Sequence, residues 1–366
     1  MYAYFYDNYI VFCKKEIPDN TFGFFYSHNI IEITDKYKYL GIVFKNTGLL
    51  KYANENLADK TRKVFYSLKS KISQSDKFSV KTWIKLYNSV ILPIITYGSE
   101  IWLTDFNLNL DTLGKLSFEK VQNMISKNIL EVHGKASNLA INAQLGTFPA
   151  CFKSFILMFE YYNRLNRIES DNESRNSLLR SAFIEDKKLN KSLIKTLNSI
   201  KQKFELSPLD ISDRDFKYHL FNFFERKTLK QFENIQKNKT GKLHFLSILR
   251  IFKLQNYLEF PLSKEHRSFL TKIRISAYSL NIETGRYNST PREQRNCKFC
   301  PSSVEDEKHF ILHCPKYQNI RNSYNTSFQS IRTDDDLIRE ILDPKDLFKT
   351  KQICKYLKEA NNTRNA

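Results

Sequence analysis

The hydrophobic positions of this chain repeat with two different periods. Near its start, Ile31 and Ile33 alternate with polar neighbours, and the runs 9–13 and 40–44 are short, apolar and rich in β-formers. A period of two is typical of half-buried strands, so we predict a small antiparallel β element here. From Leu50 onward, apolar residues recur at steps of three and four, which predicts helices with one buried face.

Helical periodicity then dominates the chain. The first stripe runs from Leu50 to Ile72, and a second spans 80–91. Pro93 must end or kink the second helix, because proline lacks the backbone donor and clashes with the preceding turn. Further helical patterns cover 118–130, 152–165 and 189–204. We therefore predict a mainly α fold with a small N-terminal antiparallel β element.

Composition excludes several classes of protein. The chain has 366 residues with 41% hydrophobic, including 29 Phe and 20 Tyr, which argues against disorder. Its 6 cysteines are too sparse for a secreted disulfide scaffold. No stretch approaches the roughly 20 apolar residues of a membrane-spanning helix, and the first residues lack the basic front of a signal peptide. We expect an intracellular protein of the nucleus or cytoplasm, with no membrane partner.

The positive charge is unevenly distributed. With 58 Lys+Arg against 39 Asp+Glu the net charge is +19, yet residues 1–50 are neutral. Segment 57–85 carries eight basic against two acidic residues, and 217–290 carries fourteen against five. Such segments favour phosphate-facing surfaces, although a solvated helix face and AT-rich codon usage also account for lysine. The candidate contacts in the first segment are Lys60, Arg62, Lys63, Lys69 and Lys71.

Three of the cysteines and two histidines cluster near the C-terminus. Their spacing is C-x2-C-x8-H-x4-C, with ligands Cys297, Cys300, His309 and Cys314. Zn²⁺ favours a closed Cys3His set of this kind, which leaves no open position for catalysis. His313 is the rival histidine, but its neighbour Cys314 would crowd the same metal. The alternative is a small core of reduced cysteines with an incidental histidine.

The remaining cysteines and acids have simpler interpretations. Cys13, Cys151 and Cys354 are isolated among apolar residues and are expected to be free core thiols. The acidic run 334–336 is expected at a helix N-terminus, where negative charge is favourable. The last residues, 361–366, are expected to fray.

Several segments, in order along the chain, resemble a known family. They are Tyr39–Ile42, Leu92–Trp102, Ala143–Pro149, Arg274–Leu280, Gly285–Tyr287 and Arg295–Pro315. The first ones resemble the end of the palm and the thumb of non-LTR retrotransposon reverse transcriptases, and the last resembles the C-terminal zinc-binding region of that family. The resemblance covers most of residues 5–325, and the order of its segments carries it more than any one motif.

The resemblance implies roles for particular residues. The thumb would hold a template–primer duplex, with Tyr39, Leu40 and Gly41 near the primer end. The basic connector and the zinc knuckle would bind RNA or target DNA. Phosphate or base contacts would come from Arg274, Arg286 and Arg295.

The catalytic carboxylates of that family have no clear counterpart here. Such polymerases hold two divalent metals with palm aspartates, which align the attacking hydroxyl and neutralise phosphate charge. The segment 5–12 is superficially similar to the paired-aspartate turn, but Asn8 follows Asp7 where a second acid is required. Only 26 residues separate Phe12 from Tyr39, too few for the intervening helix and strand. We expect no catalytic residue, and Mg²⁺ only if a catalytic palm is supplied elsewhere.

These observations predict a reverse-transcriptase-like fragment that binds RNA or DNA through a basic thumb and a Cys3His zinc knuckle. Two alternatives remain: a domesticated, free-standing zinc-dependent nucleic-acid-binding protein without a polymerase role, and an inert helical scaffold with a structural zinc. The predicted divisions are a palm-edge β segment at 1–48, a helical thumb at 49–168, a basic helical connector at 169–290, a zinc knuckle at 291–325 and a C-terminal tail at 326–366.

Overall fold

A computed structural model describes most of the chain, and helices dominate it. The predicted fold class, mainly α with small antiparallel sheets and a Cys/His cluster near the C-terminus, is confirmed. The described residues are 2–6, 9–13, 25–26, 29–30, 33–34, 36–45, 50–72, 78–106, 110–170, 177–189, 192–205, 212–237, 252–324 and 333–366. The Asp7–Asn8 pair and the basic stretch 238–251 lie outside these residues.

The chain divides into two compact units, each assembled from segments that are distant in sequence. Unit 1 contains Met1–Leu68, Asn88–Gln122 and Pro149–Phe223. Unit 2 contains Lys69–Tyr87, Asn123–Phe148 and Phe224–Ala366. The division into five successive segments stays a prediction.

The strands near the N-terminus pair in antiparallel fashion, as the period of two predicts. β1 lies between β2 and β5 in a three-stranded sheet, while β3 pairs with β4 and β6 pairs with β7 in two-stranded sheets. Their bounds are β1 Tyr2–Tyr6, β2 Tyr9–Cys13, β3 Phe25–Tyr26, β4 Asn29–Ile30, β5 Ile33–Thr34, β6 Lys36–Tyr39 and β7 Ile42–Lys45.

A tight turn joins β6 to β7. Its central residues, Leu40 and Gly41, have φ of 45° and 86°. Two positive φ angles are typical of the two-residue hairpin turns whose twist matches that of the strands. Gly41 adopts this conformation without strain, whereas Leu40 does not. The hydroxyl of Tyr97 donates to the Leu40 carbonyl at 2.8 Å and helps to hold the turn.

Helices fill most of the remaining described residues. Their bounds are α1 Lys51–Ile72, α2 Val80–Leu86, α3 Leu92–Ile95, α4 Ser99–Trp102, α5 Leu110–Leu113, α6 Ser117–Ile129, α7 Asn138–Leu145, α8 Ala150–Ser170, α9 Ser177–Lys188, α10 Leu193–Lys203, α11 Asp213–Lys237, α12 Lys264–Arg274, α13 Asn281–Tyr287, α14 Gln318–Ser323, α15 Asp334–Leu342 and α16 Leu347–Asn365. A π-helical turn at Tyr87–Ile91 separates α2 from α3. Regular α-helix is therefore interrupted just before Pro93, as predicted.

The core of unit 1 contains several packed aromatic pairs. Trp102 is fully buried and meets the ring of Phe118 edge-on at 5.4 Å, and Phe159 stacks on Phe216 at 4.0 Å. Such pairs stabilise beyond the area that they bury.

One carboxylate is buried beside this core. Glu119 on α6 accepts the backbone N–H groups of Ala150 and Cys151, at 3.2 and 2.7 Å, and so caps the start of α8. Burial raises the pKa of Glu119 to about 7, against the lowering effect of these donors. The charged form of a carboxylate is expensive at this depth, even at a helix N-terminus.

The C-terminal residues form two helices. Thr333 caps α15 by accepting the N–H of Asp336, and the acidic run 334–336 occupies the first turn, as predicted. The predicted fraying of 361–366 is wrong, because α16 continues to Asn365. Arg364 donates through Nε and Nη2 to the two carboxylate oxygens of Glu305, each at 2.7 Å.

No helix among the described residues is both long enough and apolar enough to cross a membrane.

Candidate metal centre

Two of the clustered cysteines meet across a tight turn. β8 (Asn296–Cys297) pairs antiparallel with β9 (Cys300–Val304), and Cys297 lies opposite Cys300 in the register. The N–H of Phe299 donates to the Cys297 Sγ at 3.4 Å. The C-x2-C spacing thus forms a short hairpin that carries both sulfur atoms on one side.

The histidine and the third cysteine come from a helical turn. His309 begins a π-helical turn that ends at His313, and Asp306 Oδ1 accepts the N–H of His309 at 2.8 Å. The N–H of Cys314 donates to the His309 carbonyl at 2.8 Å. This i→i+5 bond closes the turn, so that the His309 and Cys314 side chains point toward the hairpin.

The four potential ligand atoms converge on one point. All four lie within 4.8 Å of one another. The Sγ of Cys314 is 3.9 Å from that of Cys297 and 3.8 Å from that of Cys300. A tetrahedral ion with Zn–S bonds of about 2.3 Å requires sulfurs about 3.8 Å apart. The cluster can therefore bind a metal ion such as zinc.

Burial separates the ligand side chains of this cluster from water. Cys297 and Cys314 are almost fully buried, and the buried Nε2 of His309 has no hydrogen-bond partner among the described residues. Burial raises the pKa of Cys314 to about 12 and lowers the pKa of His309. Buried polar atoms are normally satisfied, and a bound cation would satisfy this set at once.

The rival histidine points elsewhere. The side chain of His313 is 48% exposed, and its Nε2 lies 2.9 Å from Asp334 Oδ2 at the start of α15. The structure therefore groups His309, and not His313, with the sulfur atoms.

Neighbouring elements hold this cluster within unit 2. Arg321 on α14 donates to the Cys314 carbonyl at 2.6 Å, and Tyr356 on α16 donates to the Ile311 carbonyl at 2.8 Å. The Arg364–Glu305 pair joins the end of α16 to the residue after β9. We call residues 296–317 the knuckle. Side chains from two other helices of unit 2, α14 and α16, hold it in place.

Two further cysteines among the described side chains lie outside the cluster. Cys151 and Cys354 are buried core thiols outside any disulfide among the described residues, as predicted, and the side chain of Cys13 lies outside the described residues.

The predicted basic contacts on α1 have different surroundings. Lys60, Lys63 and Lys71 are exposed. Arg62 forms an ion pair with the neighbouring Asp59. Lys69 donates to Asn128 Oδ1 at 2.8 Å. Three of the five side chains thus remain open to a ligand.

Arg274 requires a correction. Its side chain is fully buried at the end of α12, and it donates to Gln144 Oε1 at 2.8 Å, to Gln255 Oε1 at 2.7 Å and to the Leu342 carbonyl. The guanidinium also stacks on Tyr257, 4.7 Å from the ring centre. We call this group the Arg274 centre. A phosphate or base cannot reach Arg274 here, so its predicted role as a nucleic-acid contact is replaced by a structural one.

The other two arginines differ from each other. Arg286 is exposed and lies 3.6 Å from Glu283 Oε2 in an ion pair. Arg295 is half-buried and donates to the carbonyls of Thr290 and Ile282, at 2.8 and 2.9 Å. Their contact with nucleic acid stays a prediction.

The predicted primer-end residues are those of the β6–β7 turn. Tyr39 and Leu40 are 50% and 72% exposed. A mostly apolar cavity of about 510 Å³ lies beside the turn in unit 1; its lining includes both residues and Tyr97. A Cβ atom introduced at position 41 in place of the glycine hydrogen would lie 3.4 Å from the Tyr97 ring. The primer contact itself stays a prediction.

Sequence reasoning missed the residue at the tip of the hairpin. Phe299 lies between the two cysteines, and the ammonium groups of Lys298 and Lys316 lie 4.8 and 5.2 Å from its ring centre. The Cys-Lys-Phe-Cys order indicates Phe299 and Lys298, but only the folded chain brings Lys316 to them.

No protein-family model matches this chain, and no curated protein is detectably similar to it.

Proposed function

We propose that this chain is a reverse-transcriptase-like protein that binds RNA or DNA through exposed lysines and a Cys3His zinc knuckle. The observation that carries the proposal is the convergence of Cys297, Cys300, His309 and Cys314 within 4.8 Å of one another. Four ligands from one 18-residue stretch, at the sulfur spacing of a tetrahedral zinc site, are difficult to account for as a core of reduced thiols.

Zinc in this site has a structural role. Four protein ligands close the coordination sphere, so the ion has no open position for water or substrate. The ion replaces the apolar core that so short a hairpin and turn cannot build. It thereby fixes the surface formed by the hairpin between Cys297 and Cys300.

Positive charge supports a nucleic acid as the partner. The chain carries a net charge of +19, and Lys60, Lys63 and Lys71 on α1 are exposed. An ammonium that neutralises a phosphate releases a counterion, so such contacts make affinity depend strongly on salt. Solvated lysines that meet no phosphate have no such effect.

The proposed relation to reverse transcriptases rests on the order of the resembling segments and on the β6–β7 turn. Tyr39 and Leu40 are solvent-exposed at this turn, as expected of side chains that meet a primer end. Because no palm aspartate pair has a counterpart, we expect no DNA synthesis by this chain alone. Primer extension with Mg²⁺ or Mn²⁺ tests this, and robust synthesis would refute it.

Binding across a salt series tests the main proposal. We expect the zinc-loaded chain to bind RNA or DNA at low salt, with an affinity that falls as salt rises. Lys60→Ala with Lys63→Ala and Lys71→Ala should lower the slope of log affinity against log salt by roughly 0.9 per phosphate contact on a duplex. The matched control removes three other exposed lysines: Lys115→Ala, Lys345→Ala and Lys351→Ala.

Two results would contradict the proposal. No affinity for RNA or DNA at low salt would exclude nucleic acid as the partner and leave a helical scaffold. No zinc in the purified chain by metal analysis would exclude the knuckle as a zinc site.

A further inference from the structure

The hairpin of the knuckle presents an aromatic ring between two cations. Phe299 is half-buried, and Lys298 and Lys316 are exposed beside it. Their Nζ atoms lie 4.8 and 5.2 Å from the ring centre, within the range of a cation–π contact. Lys298 precedes the ring in the hairpin, whereas Lys316 reaches it from the turn after Cys314.

These two lysines lack the acidic partners of their neighbours. The Nζ of Lys308 lies 3.2 Å from Asp334 Oδ2, and the Nη2 of Arg292 lies 3.8 Å from Asp306 Oδ2. Among the described residues, no carboxylate forms an ion pair with Lys298 or Lys316. Two like charges gathered on one ring repel each other, and an anionic ligand would relieve this repulsion.

The ring itself is held in place. The Phe299 N–H bonds to the Cys297 Sγ at 3.4 Å, and the ring meets Tyr317 edge-on, at 6.1 Å and 89°. Tyr317 is buried and packs in turn on Phe310 at 5.1 Å. Because Tyr317 packs against this ring and a bound metal would close the hairpin, Phe299 would lose little conformational freedom when a planar ligand covers it.

We propose that Phe299 stacks on an unpaired base of single-stranded RNA or DNA, while Lys298 and Lys316 contact the phosphates on either side of that base. This inference rests on the proposed function and assigns the knuckle to single strands. A base within a duplex has neighbours on both faces, so only an unpaired or terminal base offers a face to the ring. Aromatic rings within basic surfaces bind single strands in this way, with little sequence preference.

An acidic peptide is the competing partner. It would pair with the two lysines but would gain nothing from an aromatic face. Removing the ring while keeping both lysines therefore separates the two ligands.

The test compares variants of the full zinc-loaded chain on a short single-stranded oligonucleotide, on its duplex and on polyglutamate. Phe299→Ala should weaken single-strand binding by roughly 5- to 150-fold, the usual effect of losing one stacked base. Duplex binding should change little. The matched control is Phe348→Ala, the same truncation at a side chain that is 70% exposed elsewhere in unit 2.

The lysines are tested by salt dependence. Lys298→Ala with Lys316→Ala should lower the single-strand salt slope by roughly 0.7 for each phosphate that the variant no longer neutralises. Lys345→Ala with Lys351→Ala removes the same charge from other exposed positions of unit 2 and should lower the slope less.

A tryptophan probe covers the case in which Phe299→Ala loses its zinc. Phe299→Trp keeps a stacking ring, and single strands should quench its fluorescence by more than they change that of the original protein, whose Trp83 is half-buried and whose Trp102 is buried. Three results would overturn the inference but leave the proposed function. They are an absence of quenching, an unchanged single-strand affinity in a zinc-loaded Phe299→Ala, and polyglutamate that competes for the chain as well as single strands do. If the original chain binds no nucleic acid, both the inference and the proposed function are refuted.

Discussion

The knuckle and the Arg274 centre are both in unit 2, and both bury polar side chains, but they satisfy them differently. In the knuckle, three thiols and a histidine nitrogen face one another, and the histidine Nε2 has no hydrogen-bond partner among the described residues. In the Arg274 centre, the guanidinium meets two amide oxygens and a backbone carbonyl. The first set can therefore bind a metal ion, whereas groups of the protein already satisfy the guanidinium of the second.

The sequence separations of the two sites also differ. The knuckle ligands fall between 297 and 314, so the loops that bring them together are short and cheap to close. Arg274 bonds to Gln144, which is 130 positions away. The spacing of residues along the sequence therefore reveals a buried polar site only when that site is formed by one short segment and its turns. Four sets of substitutions probe this difference, with effects that we expect to decrease in the order given below.

Removing the knuckle's ligands should have the largest effect. Cys297→Ser with Cys300→Ser should lose about one zinc per chain, measured by metal analysis, and should lower thermal stability. Structural zinc contributes roughly 10–16 kcal/mol of apparent binding free energy in small zinc domains. Cys151→Ser with Cys354→Ser changes two thiols outside the cluster and should keep its zinc. Full zinc content in the first variant would contradict the ligand assignment.

Removing the charge of the Arg274 centre should have the second-largest effect on stability. Arg274→Met removes the buried guanidinium from its hydrogen bonds to Gln144, Gln255 and Leu342 and from its ion pair with Asp343, which should lower the free energy of unfolding by about 3–5 kcal/mol. Urea denaturation measures this. Arg286→Met, at an exposed arginine, should change it by less than about 0.5 kcal/mol. Equal effects of the two substitutions would show that Arg274 is not buried as described.

Replacing Glu119 in unit 1 should have an intermediate effect on stability, because this carboxyl group is buried and hydrogen-bonded but has no cationic partner among the described residues. Its pKa is raised to about 7 from 4.5, so the folded state holds this proton more tightly than the unfolded state does. Its stabilising contribution is complete below about pH 4.5 and is lost as pH rises through 7, by about 3 kcal/mol in total.

Glu119→Gln should therefore flatten the decrease in unfolding free energy between pH 5 and 8, as measured by urea denaturation at several pH values. Glu160→Gln, at an exposed position of α8, provides the control and should leave the profile unchanged. An unaltered profile in Glu119→Gln would assign the pH dependence to other groups.

The smallest effect is expected at the β6–β7 turn, where no buried polar group is involved. Leu40→Gly removes a leucine from a positive φ, and its side chain is 72% exposed, so little packing is sacrificed. We expect the free energy of unfolding to rise by up to about 1 kcal/mol. Leu189→Gly, at a leucine that is 55% exposed and for which no positive φ occurs, should not stabilise. A decrease in stability in Leu40→Gly would mean that the leucine makes contacts that offset its strain.

Much of the helical structure was predictable, because a stripe of apolar residues already identifies a helix face. The stripe from Leu50 to Ile72 corresponds to α1, and the patterns at 118–130 and 152–165 correspond to α6 and α8. The end of the chain was not predictable in this way. The polar run 361–366 suggests fraying, but the ion pair of Arg364 with Glu305 anchors it. Glu305 is distant in sequence, so local composition could not reveal that partner.

The mainly helical character, the uneven positive charge and the four ligands of the knuckle follow from the amino-acid order alone, since each depends on residues near one another along the chain. Which charges face solvent depends instead on tertiary packing. The fold buries Arg274, pairs Lys69 with Asn128, directs His313 toward Asp334 and brings Lys316 to Phe299. These outcomes require partners from distant segments, whose desolvation and hydrogen bonding are settled only when the segments pack together.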